Sequence, residues 1–216
     1  MITIRESLKQ IIAKTPYLEE AIGKGIINLS ALARLVKPEI KDVLYKEKVS
    51  DAALIMALKR LEPEIKKKNK IPHIFSEMED ITVRSGLIEI TLRNVTDTEK
   101  IRSELMKAVA KEKYSFFNLI QGVRESTILM SKNLEHTITK LLSGKVISRI
   151  DTISSVTISL PPSNRKTPGV YYTLLKALAW ENINLIEIIS NFNEVTLVFD
   201  DSDIDRAFSL IKGLRK

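Results

Sequence analysis

The chain has 216 residues, 44% of them hydrophobic, and a formal net charge of +7 from 34 Lys plus Arg against 27 Asp plus Glu. That length buries proper cores in two ordinary domains or three small ones, and the absence of cysteine excludes disulfides, thiolate metal ligands and a cysteine nucleophile. The charge is uneven: residues 1–72 hold 15 basic against 9 acidic side chains, 73–145 hold 11 against 10, and 146–216 hold 8 against 8. The excess therefore belongs to the N-terminal segment and points to an acidic partner there, nucleic acid first, with a merely soluble surface as the alternative.

The opening MITIRESLKQII carries charge within its first helical turns and lacks the apolar core of a signal peptide, and no apolar run reaches membrane length. A cytoplasmic, membrane-free protein is expected. Ile4, Leu8, Ile11 and Ile12 stripe a first helix, and TPYLEEAIGKG predicts a second, with Pro16 in its first turn and Gly23 and Gly25 at its end. Asn28 or Ser30 caps NLSALARLV, and Pro38 is expected to open a separate helix with Ile40 and Leu44 on one face. Ser50 caps the next helix, in which Leu54, Leu58 and Leu61 turn inward while Met56, Lys59 and Arg60 turn out; Pro63 ends it or starts another.

This layout resembles a helix-turn-helix, and SALARLV is similar to the first helix of many such regulators. On that resemblance the candidate nucleic-acid contacts are Lys46, Lys48, Ser50, Lys59 and Arg60, joined by Lys66, Lys67 and Lys68 from a linker-like or wing-like run that also holds Lys70. A helical dimerisation or docking domain with a solvated lysine face is the alternative. Residues 1–72 are taken as the helical domain and linker, and Ile74 and Phe75 predict that the linker packs against something.

From Leu87, LIEITLR predicts a strand; Ile101, Leu105, Ala108 and Val109 a helix; STILMS at 126 a strand; and Leu134, Ile138, Leu141 and Leu142 a closing helix. The pattern returns in the last third. VTISL alternates, PPSNRKTPG interrupts, and Val170, Leu174, Ala177 and Leu178 fall at helical spacing. NINLIEIIS and EVTLVFD predict strands around NFN, Asp200 to Asp203 supply a cap, and Ile204, Ala207, Phe208 and Ile211 stripe a final helix. A shift of 69 positions lays one set on the other, which argues for an internal duplication, 81–145 and 150–216.

TPGV opening the helix at 170 and ENINLIEIIS starting the following strand resemble the ACT domain, the amino-acid-sensing module of aspartate kinases and related enzymes. The resemblance implies an α+β fold in which two ferredoxin-like βαββαβ repeats form a joint antiparallel sheet of eight strands behind the helical head. It also implies an effector held between paired units, by the loop of one and the second-strand start of the other. In this sequence those positions are Asn164, Thr167, Pro168, Gly169, Val170 and Tyr171, and Asn182, Ile183 and Asn184, with Asn184 at the asparagine position of serine-sensing members. The residues say the same of one half: glycine lets the backbone approach a ligand, and helix-start amides favour a carboxylate. Turn chemistry alone is the other explanation of Gly169.

The first repeat carries Glu99 and Lys100 where the second has Pro168 and Gly169, and Ser115 where it has Asn184, so its loop is expected not to bind. Pairing within one chain would set Gly169 against residues 113–117 and Asn184 against 96–100. A complete site then needs the C-terminal repeats of two chains, hence a homodimer or higher. The only histidines, His73 and His136, stand in no triad or zinc spacing, no glycine pattern cradles a phosphate, and Asp200 to Asp205 reads as a helix start. The expectation is a non-enzymatic regulator without metal or cofactor that senses a free amino acid or similar small carboxylate and acts through duplex DNA. Its rivals are a regulatory subunit docking on a metabolic enzyme such as aspartate kinase, and an RNA-binding or purely structural protein.

Overall fold

The computed structural model describes residues 2–45, 48–68, 73–93, 98–112, 114–142 and 146–215. They form two compact units, Met1–Ile71 and Pro72–Lys216.

The first unit is helical. Thr3 and Glu6 cap α1 (Ile4–Ala13) reciprocally, each side chain accepting from the other's backbone N–H. Pro16 opens α2 (Pro16–Gly23), and the Asn28 side chain accepts from the Ser30 and Ala31 amides at the start of α3 (Leu29–Leu44). Ser50 accepts from Ala53 N–H and starts α4 (Asp51–Lys68). The expected stripe Leu54, Leu58 and Leu61 is fully buried with Leu8, Leu32 and Ile40.

Two expectations fail here. Pro38 starts no helix and Pro63 neither ends nor starts one; each lies inside a continuous helix. Both prolines are exposed, while Val36 and Ile40, and Leu61 and Ile65, are buried on either side of them. That burial offsets the roughly 3 kcal/mol an interior proline costs. With 28–36 and 38–44 fused in α3, the short-helix layout on which the helix-turn-helix resemblance rested is absent.

The second unit runs β1 (Ile81–Arg93), α5 (Thr98–Lys111), β2 (Phe117–Gln121), β3 (Glu125–Ser131), α6 (Glu135–Leu142), β4 (Val146–Ser159), α7 (Val170–Trp180), β5 (Glu187–Ser190), β6 (Glu194–Asp200) and α8 (Ile204–Gly213). Strand-helix-strand-strand-helix thus occurs twice, and β3 and β6 begin and end 69 positions apart. The sheet is antiparallel throughout, in the order β2-β3-β1-β4-β6-β5. The expected joint sheet forms, but with six strands among the described residues instead of eight. Each half contributes three: the strand after α6 is β4, already the first strand of the second half. β1 and β4, 13 and 14 residues long, pair with each other at the centre as well as with β3 and β6. Gly86, at φ 67, sits where the β1–β4 register shifts between Arg84 and Leu87, a bulge conformation that glycine adopts freely.

One sheet face carries the helices. Ile88, Ile90 and Leu92 pack with Ile101, Leu105 and Ile138, and Val156, Ile158 and Leu160 with Val170, Leu174, Leu178 and Ile211. Ile74, Phe75 and Met78, from the segment before β1, are buried in the latter cluster, so the residues expected to pack do so. The other face has its own apolar cluster of Leu87, Leu129, Ile153 and Val198, all fully buried, with Phe116, Ile186 and Ile189 against them. No helix among the described residues is long and apolar enough to cross a membrane.

Candidate functional site

The connection from β4 to α7 is built by residues that cannot extend a ladder. Pro161 and Pro162 have no N–H to donate, so β4 ends at Ser159 and a 3₁₀ turn follows over Pro162–Lys166. Asn164 holds that turn: its Nδ2 donates to the carbonyls of Pro161 (2.9 Å) and Phe192 (3.2 Å), tying the loop to the β5–β6 turn. The Thr167 hydroxyl donates to the Ser163 carbonyl at 2.9 Å. Gly169 then caps α7 at φ 86, ψ 4, and an added Cβ would meet nothing within 4 Å. Glycine is required there by the backbone and not by crowding. The Gly169 carbonyl accepts from both the N–H and the hydroxyl of Thr173.

Beside this loop lies a groove of about 500 Å³. Asn164, Thr167, Pro168, Gly169, Val170 and Tyr171, six of the residues expected to bind an effector, all line it. The opposite wall comes from the end of β5: Ser190 shares a hydrogen bond of 2.6 Å with the Tyr171 hydroxyl, and Asn191 follows. Arg165 and Tyr172 complete the lining, with the Arg165 guanidinium 5.1 Å from the centre of the Phe192 ring. Among the described residues that line the groove there is no carboxylate. A guanidinium, hydroxyls and the first-turn amides of α7, which cannot bond within their own helix, make it hospitable to a small anion. Sequence reasoning missed Arg165, Ser190 and Asn191. Arg165 stood inside the interrupting loop and was visible there, whereas Ser190 and Asn191 arrive only through strand pairing.

Asn182, Ile183 and Asn184 are not brought to this groove. They follow the far end of α7, whose 11 residues span roughly 16 Å. Asn182 takes a left-handed turn at φ 53, Ile183 is buried in the core and Asn184 is exposed. None of residues 114–117 lines the groove either, and residues 96, 97 and 113 lie outside the described residues. Phe116 packs on the helix-free face instead.

In the helical unit, Lys48 and Ser50 line a wide groove of about 590 Å³ together with Lys37 and Lys41, and Lys37 pairs with Asp51 at 2.6 Å. Hydrogen bonding and the charge of Lys37 hold the Asp51 carboxyl below its ordinary range. Lys59, Arg60 and Lys66 are exposed on α4 outside that groove; Lys67 and Lys68 close the helix, and Lys46 and Lys70 lie outside the described residues. Asp200 accepts from the Ser202 hydroxyl and amide, which lowers its pKa, and Asp203 pairs with Arg206, so the acidic run is occupied in starting α8. His136 is exposed with Nδ1 2.6 Å from the Asn133 carbonyl. Among the described residues no three His, Cys, Asp or Glu gather in a metal-binding group.

No protein-family model matches the chain, and no curated protein matches it. Solved structures do. The regulatory subunit of aspartate kinase from Thermus thermophilus, in its ligand-free form, is similar at 15% identity and a TM-score of 0.50 over 64% of this chain and 99% of that one. Aspartate kinase from Clostridium acetobutylicum is similar at 16% identity and a TM-score of 0.53, over 64% of this chain and 35% of the enzyme. The likeness defines an ACT-like fold, and it spans only about a third of the Clostridium chain.

Proposed function

We propose that this is a non-catalytic regulatory protein whose ACT-like half binds a free amino acid, or a similar small carboxylate, in the groove at Gly169, and whose basic helical head passes the response to a partner. The observation that carries this reading is the convergence of Asn164, Thr167, Gly169 and Tyr171 with Arg165 in a groove whose described lining residues include no carboxylate. The fold likeness to the regulatory subunit of aspartate kinase supports a regulatory role, and docking of the head on a metabolic enzyme is the first reading of that partner. Duplex DNA is the second reading for the head, favoured by one feature, the gathering of Lys37, Lys41 and Lys48 in one groove.

Thermal shift with each of the twenty amino acids tests the site. One or a few are expected to raise the melting temperature, since a ligand that binds only the folded state stabilises it by mass action. Arg165→Ala should weaken that rise and leave the unliganded melting temperature nearly unchanged, because the side chain is exposed. No rise with any amino acid overturns the effector reading.

A further inference from the structure

The groove at Gly169 is electrically one-sided, and that narrows its ligand. Among the described residues Arg165 is the one charged side chain that lines it. Its guanidinium lies 5.1 Å from the centre of the Phe192 ring, and no ion pair joins it to any described carboxylate. Stacking on an aromatic ring steadies the plane of a guanidinium and leaves its N–H edge for a bidentate contact with an acid. The nearby side-chain donors are already committed. Both amide hydrogens of Asn164 serve the Pro161 and Phe192 carbonyls, and the Thr167 hydroxyl serves the Ser163 carbonyl. Helix α7 has no acidic residue in its first turn and no side-chain cap, so its opening amides are the groove's second point for an anion.

We propose that the effector taken here is a dicarboxylic acid, among free amino acids aspartate or glutamate, with one carboxylate on the opening amides of α7 and the second on Arg165. This rests on the effector reading and adds a chemical class to it. The two anion-binding points stand on either side of Pro168 and Gly169 in one groove, an arrangement that suits a short diacid. An α-ammonium group meets neutral acceptors, the hydroxyl oxygens of Tyr171 and Ser190. A basic effector would bring a second cation to a groove whose described lining holds one cation and no anion, and a neutral one would leave Arg165 unanswered.

Calorimetric titration of the full chain tests this by comparing aspartate with asparagine and glutamate with glutamine, pairs nearly equal in shape that differ by one charge. The acid of at least one pair is expected to bind about ten- to a hundredfold tighter than its amide, the range of a hydrogen bond to a charged group. Arg165→Gln should bring that acid to the affinity of its amide and leave the amide nearly unaffected. The side chain is exposed, so the ligand-free melting temperature of the variant should match the parent's. A neutral or basic amino acid that binds as tightly as the acids overturns the diacid and leaves the effector reading in place. A loss in Arg165→Gln shared equally by acid and amide does the same. No binding by any of the twenty amino acids overturns both.

Discussion

At Gly169 the backbone decides what a mutation can report. Its φ of 86 lies where a side chain is strained whatever the space around it, so a substitution such as Gly169→Val, aimed at blocking a bound carboxylate, also disturbs the start of α7. Even Gly169→Ala is expected to cost about 1–3 kcal/mol, read as a lowered urea midpoint with unchanged slope. Asn164 calls for a similar change of view. The ACT resemblance offers it as a ligand contact, but its amide hydrogens already serve the Pro161 and Phe192 carbonyls. Asn164→Ala should cost about 1–2 kcal/mol without any effector present, and a variant as stable as the parent would mean that this tie is immaterial. Tyr171→Phe, which removes only the hydroxyl shared with Ser190, is a cleaner probe of the groove.

At the scale of elements, sequence signals were legible wherever a local cause dominated. Asn28 and Ser50 cap helices as their types predict, and Leu54, Leu58 and Leu61 are buried because helical spacing leaves them no other face. The prolines were misread for the opposite reason: an exposed Pro38 between buried Val36 and Ile40 is tolerated by packing that no local rule contains. The groove was half legible. Its loop lies contiguous in sequence, while Ser190 and Asn191 come from pairing of β5 with β6, which a single chain does not announce. A similar gap separates Lys59 and Arg60, exposed on α4, from the Lys37, Lys41 and Lys48 groove. If the head binds duplex DNA, Lys41→Ala with Lys48→Ala should flatten the salt dependence of binding by about one or two counterions, and Lys59→Ala with Arg60→Ala should do less. Equal losses from both pairs would place the contact on α4.

At the scale of the molecule, composition shows a basic head over residues 1–72 and a near-neutral remainder, and the two compact units are Met1–Ile71 and Pro72–Lys216. The short segment ahead of β1 is where sequence was least informative. The composition of EIKKKNKIPHIF suits a linker, yet Ile74, Phe75 and Met78 are at most 4% exposed and complete the core under α7 and α8. Burying a large apolar side chain is worth about 1.5–3 kcal/mol, so the three together contribute on the order of 5 kcal/mol, comparable with the whole stability of an ordinary domain. A chain beginning at residue 73 should therefore unfold cooperatively with the stability of the intact sheet. One beginning at residue 81 keeps every strand and helix of the duplicated pattern but should lose most of that stability, with a matching drop in denaturant midpoint. Equal midpoints for the two truncations would show that the sheet needs nothing from the segment before it.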